Sequence, residues 1–145
     1  MTTVFLEHLA RGAGSIASYA AVGVILMIVG FYVIDLATPG KLSQIIRTER
    51  NPNATLLATS ALAAVGLIVA ASIWGSGGRL AEGLVSTAVF GLVGIAVQTL
   101  AMLLFDRVVG ISVRELVKEP QLQPGARLLA VTHIAIGLIT AVAVI

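Results

Sequence analysis

Two aspartates stand where long apolar runs end, Asp35 in "VIDLATPGKL" and Asp106 in "LLFDRVVGIS". A carboxylate so close to hydrocarbon is costly, so by default it marks an ion path or a structural pairing. At the carboxyl end of a helix it also opposes the dipole, which favours cations there. Two readings follow from the residues. Each acid pins its turn by pairing with a neighbouring arginine or lysine, or the two together line the entrance of a cation path. Deeper in the apolar runs lie Gln98, Thr99, Thr132 and His133. Gln98 and His133 each fall about 12 Å inward from one end of their runs, at 1.5 Å per helical residue. Antiparallel helices would bring them into one polar layer, where a neutral imidazole and a carboxamide can satisfy each other. Such a layer is a packing latch or a route for a proton or ion. It lacks a nucleophile, and Ser, His and Asp sit at different depths, so a hydrolytic triad is not expected. A lone His133 cannot build a zinc site, and cysteine is absent. No metal, no cofactor and no enzymatic activity are expected.

These residues need something to hold them, and composition says what. The chain of 145 residues is 58% hydrophobic and 11% charged, with net charge +2 and mean hydropathy +1.04. A soluble domain carries roughly 25% charged residues. Apolar stretches of about 20 residues, enough to span a bilayer, cover 15–36, 54–74, 84–105 and 125–145. Backbone groups in hydrocarbon must pair within their own segment, and these runs lack the alternation of barrel strands. The expected fold class is therefore an all-α integral membrane protein with four transmembrane helices, a single transmembrane domain over 1–145. The basic residues do not form a clustered face, so nucleic acid is not an expected partner.

Basic residues set the orientation. Lys41, Arg47 and Arg50 follow the first run, and Arg107, Arg114, Lys118 and Arg127 follow the third. The other side has only Arg11 and Arg79. The expectation is a multi-pass protein of a bacterial inner membrane, with loops 37–53 and 107–124 cytoplasmic and both termini outside. Trp74 is placed as an outer interfacial anchor.

The offset that carries Asp35 onto Asp106 also overlays Val22-Gly23-Val24 on Val93-Gly94-Ile95, Ile45-Ile46 on Leu116-Val117 and Arg47 on Lys118. With a drift of one residue, Leu56-Leu57-Ala58 meets Leu128-Leu129-Ala130. The spans thus read as two helical-hairpin repeats of the same orientation, about 15–74 and 84–145. Each contains a short amphipathic interfacial helix in its cytoplasmic loop. In the first, Thr38 is expected as N-cap and Pro39 as the first helical residue. In the second, Ser112 and Glu115 form a capping box. Lys41, Arg47, Arg50, Arg114 and Lys118 would face headgroups or a partner. Small residues recur at Ala13, Ala17 and Ala21 and at Gly14 and Ser18, a spacing that permits close helix approach within the chain or between copies.

The duplicated two-helix unit, the "D-x-x-T-P-G" from Asp35 to Gly40 and the "N-A-T-L-L" from Asn53 to Leu57 resemble the YjfL-like family of small bacterial inner-membrane proteins, a domain of unknown function. The second half departs from the pattern, with Val108-Val109-Gly110 where the first has Thr38-Pro39-Gly40. The resemblance implies an accessory membrane role tied to envelope stress and brings no catalytic residues. The expected function is a non-enzymatic structural or accessory subunit that oligomerises or recruits a membrane-protein partner. The alternative is a small ion or solute channel or transporter.

Overall fold

The computed structural model describes residues 2–145. Among them the chain forms six helices and no strand: α1 (Thr3–Ala37), α2 (Leu42–Arg47), α3 (Pro52–Trp74), α4 (Leu80–Val109), α5 (Val113–Leu116) and α6 (Pro124–Val144). The four long helices are each long and apolar enough to cross a membrane. The all-α membrane fold expected from composition is what the chain adopts. Two helices exceed their expected spans. α1 begins at Thr3 rather than near 15, because no proline interrupts the segment and Glu7 and Arg11 face each other one turn apart at 4.0 Å. α4 begins at Leu80, where Arg79 and Glu82 pair at 2.7 Å over its first turn.

α3 is the most buried helix and packs against α1, α4 and α6. Lipid chains are as apolar as leucine, so helices in a membrane associate through close packing and hydrogen bonds. Close packing is greatest where α6 crosses α3. A Cβ built on Gly137 would lie 2.6 Å from the Ala64 Cα, a separation no side chain can occupy. α1 and α4 approach in the same way, with the Leu26 side chain filling the space above Gly91. The small-residue stripe at Ala13, Ala17 and Ala21 is not used for internal packing. Those side chains are exposed.

Both termini and the α3–α4 turn share one end of the bundle. The Tyr19 hydroxyl lies 3.0 Å from Ser76 Oγ in that turn, and Gly75 packs beside Val144 and Ile145. Trp74 is there too, 83% exposed. The short helices α2 and α5 close the opposite end. Their apolar side chains turn inward onto the bundle: Leu42 and Ile45 pack with Ala54, Ala58 and Val117, and Leu116 with Leu57, Ala126 and Leu129. Lys41, Arg47, Arg50, Arg114 and Lys118 remain exposed around them.

Overpacking a tight crossing costs about 1–3 kcal/mol. Gly137→Val is therefore expected to lower the thermal midpoint in detergent micelles. Gly12→Val, at a position with nothing within 4 Å, is expected to leave it within error of the parent.

Candidate functional site

The two aspartates have different environments. Asp35 accepts a hydrogen bond from the Leu42 N–H at 2.6 Å. It sits near the end of α1 but serves the beginning of α2, where a negative side chain is favourable. This accounts for an acid at an otherwise unfavourable helix terminus. The expected start of the short helix is corrected accordingly. Thr38 does not cap α2. It ends α1, with its amide bonded to the Ile34 and Asp35 carbonyls and its Oγ1 donating to Ile34 O at 2.9 Å. The residue before a proline is pushed out of the helical region, and Gly40 then takes φ +98, so α2 starts only at Leu42. Neither Asp35 nor Asp106 pairs with a cation; among the described residues the ion pairs are Glu7–Arg11 and Arg79–Glu82.

In the second half the cap is local. Ser112 Oγ accepts the Glu115 N–H at 3.4 Å, the serine half of the expected capping box. Asp106 is thereby released from capping, and its Oδ1 is buried without a protein partner. It faces a cavity of about 220 Å³ at the α2–α5 end of the bundle. Ile34 and Ala37 of α1 and the Thr38 that caps it form one wall, Leu57 of α3, Val113 of α5 and His133 of α6 form others, and Thr99, Met102 and Leu103 of α4 line it with Asp106.

His133 is 2% exposed. Its Nε2 has no protein partner, and its Nδ1 lies 3.4 Å from Ser60 Oγ. The expected meeting of Gln98 and His133 takes place, but through the backbone: Gln98 Nε2 donates to the His133 carbonyl at 2.9 Å. The amide oxygen of Gln98 is buried and unpartnered. The carboxamide and imidazole therefore do not satisfy each other. Thr99 lines the cavity and donates to Ile95 O at 2.7 Å. Thr132 does not line it; its hydroxyl donates to Leu128 O at 2.9 Å along its own helix. Asp35 is likewise outside the cavity wall.

The basic residues gather near one another on the closed end. Lys41, Arg114 and Lys118 border a shared cleft between α2 and α5, together with Gln44 and Glu49. Arg47 lies on the outer side of α2, beside Ser43 and Thr48. Arg50 serves the backbone as well, taking φ 52 between α2 and α3.

Two functional neighbours escaped sequence reasoning. Asn51 caps α3, its Oδ1 accepting from the Asn53 and Ala54 amides at 2.9 Å. Its Nδ2 crosses to the other loop, donating to Val117 O at 2.7 Å and Glu119 O at 3.0 Å. Asn53, fully buried, donates to Glu119 O and Gln121 O at 3.1 and 2.9 Å and accepts the Gln123 N–H at 2.8 Å. Asn before Pro52 carries a visible N-cap signal. The reach to residues 117–123 has no local signal. This latch holds the loop that carries Val113 into the cavity and starts the helix that carries His133.

Comparisons with known proteins agree with this architecture. The family model described as Domain of Unknown Function (DUF350) matches residues 8–144. A UPF0719 transmembrane protein of Mycolicibacterium paratuberculosis is 39% identical over 142 residues, covering 98% of this chain and 94% of its own. UPF0719 transmembrane proteins of Mycobacterium bovis and Mycobacterium tuberculosis are each 32% identical over 141 residues, covering 97% of this chain and 93% of theirs. No solved structure matches.

Leaving buried polar partners unpaired costs about 1–3 kcal/mol, and losing one helix cap about 0.5–2 kcal/mol. Asn53→Ala would orphan the Gln123 amide and take one of two donors from both Glu119 O and Gln121 O, whereas Asp35→Ala loses one cap bond. Thermal denaturation in micelles is expected to show the larger loss for Asn53→Ala.

Proposed function

Since the chain belongs to the DUF350 family, an uncharacterised family of transmembrane proteins whose description carries no activity, we propose its role from geometry: a non-enzymatic accessory subunit of the bacterial inner membrane that oligomerises or recruits a membrane partner. One observation carries this reading. Tyr19 meets Ser76 at the level of the α3–α4 turn, so residues 3–18 of α1 run about 24 Å past the bundle at 1.5 Å per residue. Val4, Phe5, Leu6, Leu9 and Ile16 are exposed along them. An isolated helix of that length is marginal in water, and exposed apolar area of this kind marks an interaction surface. The small residues Ala13 and Ala17 on the same segment, continued by Ala21, suit close approach of a second helix.

The cluster of Lys41, Arg47, Arg50, Arg107, Arg114, Lys118 and Arg127 at the α2–α5 end supports cytoplasmic loops and outer termini by the positive-inside rule. The two hairpins then run in the same direction as repeats of one unit. The exposed cations of α2 and α5 sit at headgroup level, where each is worth about 1 kcal/mol on an anionic leaflet.

A second reading, a small channel or transporter, is favoured by the cavity that Asp106 and His133 line. It involves five helices rather than the overhang of α1.

The chain has no cysteine, so single replacements report cleanly. Leu6→Cys and Leu9→Cys are expected to give disulfide-linked dimers in oxidised membranes. One copy per nanodisc with no cross-link, together with no co-purifying membrane protein lost on charge reversal of Lys41, Arg47, Arg114 and Lys118, overturns the accessory reading. For the second reading, ion or solute flux into proteoliposomes is expected to fall at least tenfold in Asp106→Asn or His133→Phe. Absence of any flux overturns it.

A further inference from the structure

The polar groups around the cavity are uniform in kind. The Thr38 and Thr99 hydroxyl protons are committed to Ile34 O and Ile95 O, so towards the cavity these oxygens can only accept. Ser60 donates its proton to Leu57 O at 2.9 Å. Towards His133 Nδ1 it can therefore only accept. In the neutral imidazole this places the proton on Nδ1 and leaves a lone pair on Nε2, the nitrogen without a protein partner. Asp106 adds a carboxylate with no cation in ion-pair contact.

Every unsatisfied group is thus an acceptor, and one can carry negative charge. A buried unpaired acceptor is expensive, and this set is complementary to a cation that brings N–H donors. The rest of the wall is alkyl or thioether: Leu57, Met102, Leu103 and Val113 among others. A hard metal ion needs six or more oxygen ligands, more than these groups supply, and would gain nothing from the alkyl wall. The volume, about 220 Å³, exceeds the ~150 Å³ apolar cavity that holds a benzene ring.

We propose that this cavity is a binding site for a small primary amine in its ammonium form, with an apolar body of about four to six carbons, the nitrogen held at the unpaired Asp106 carboxylate and the body against Leu57 and Met102, with His133 lining the same cavity. The site is the one on which the transport reading rests, but the inference concerns binding at equilibrium, so a failed flux assay leaves it standing.

The test uses the full chain in nanodiscs of zwitterionic lipid, with empty discs as baseline, and titration calorimetry with n-pentylammonium. Saturable binding is expected, at least tenfold tighter than for 1-pentanol or pentyltrimethylammonium, which lack either the charge or the N–H donors. Asp106→Asn is expected to weaken n-pentylammonium at least tenfold, and Glu49→Gln, a surface carboxylate, to leave it unchanged. Nitrogen-15 spectra of a His8→Gln chain, in which His133 is the remaining histidine, are expected to show the Nε2 resonance shifting with occupancy. Equal binding of amine and alcohol, an unmoved Nε2 resonance at saturation, or no saturable binding to the parent chain overturns the proposal, whatever the folding of the variants.

Discussion

Two buried asparagines tie the halves of this molecule together. In lipid there is no hydrophobic force to press one hairpin on the other, and the α3–α6 crossing alone leaves the connecting loops free. Asn51 and Asn53 send all four side-chain amide protons across that gap, and the Asn53 oxygen accepts across it as well, while the Asn51 oxygen caps α3. The segment they hold, 117–123, fixes where α5 ends and where α6 begins. His133 and Val113 reach the cavity from those two elements, so the shape of the site depends on carbonyls of a loop that does not itself line it.

Residues that the offset of Asp35 onto Asp106 pairs do different work in the two halves. Asp35 caps a helix; its counterpart Asp106 was relieved by Ser112 and turned to the cavity. Asn53 threads hydrogen bonds into the opposite loop, while at the matching place after Pro124 stands Gly125, against which Ile111 and Leu116 pack. One half supplies the clasp and the other supplies Thr99, Asp106 and His133 to the cavity.

What could be read from the sequence divides along the range of the interactions. The membrane helices were legible because a bilayer imposes one length and one polarity on every segment that crosses it. The polar layer of Gln98 and His133 was legible in depth, since helical rise converts residue number to height. The atoms that meet were not, because the bond goes to a main-chain carbonyl. Thr38-Pro39 carries a genuine helix-start signal, and it was overridden by an aspartate seven residues upstream of Leu42 that does the same task. The long reach of Asn51 and Asn53 left no local trace, and the amino-terminal part of α1 was missed because polar Glu7, His8 and Arg11 interrupt its hydropathy without interrupting its helix.

The lengths of the helices have a topographic consequence. α3 and α6, with 23 and 21 residues, are each roughly 32–35 Å tall and match a hydrocarbon layer of about 30 Å. α1, with 35 residues, is roughly 52 Å and is gripped at Tyr19 on one side and at its carboxyl end on the other. Its first sixteen residues, 3–18, lie beyond the Tyr19 contact. The face of the molecule that carries the termini is therefore not a plane but a low platform with a single mast standing at its edge.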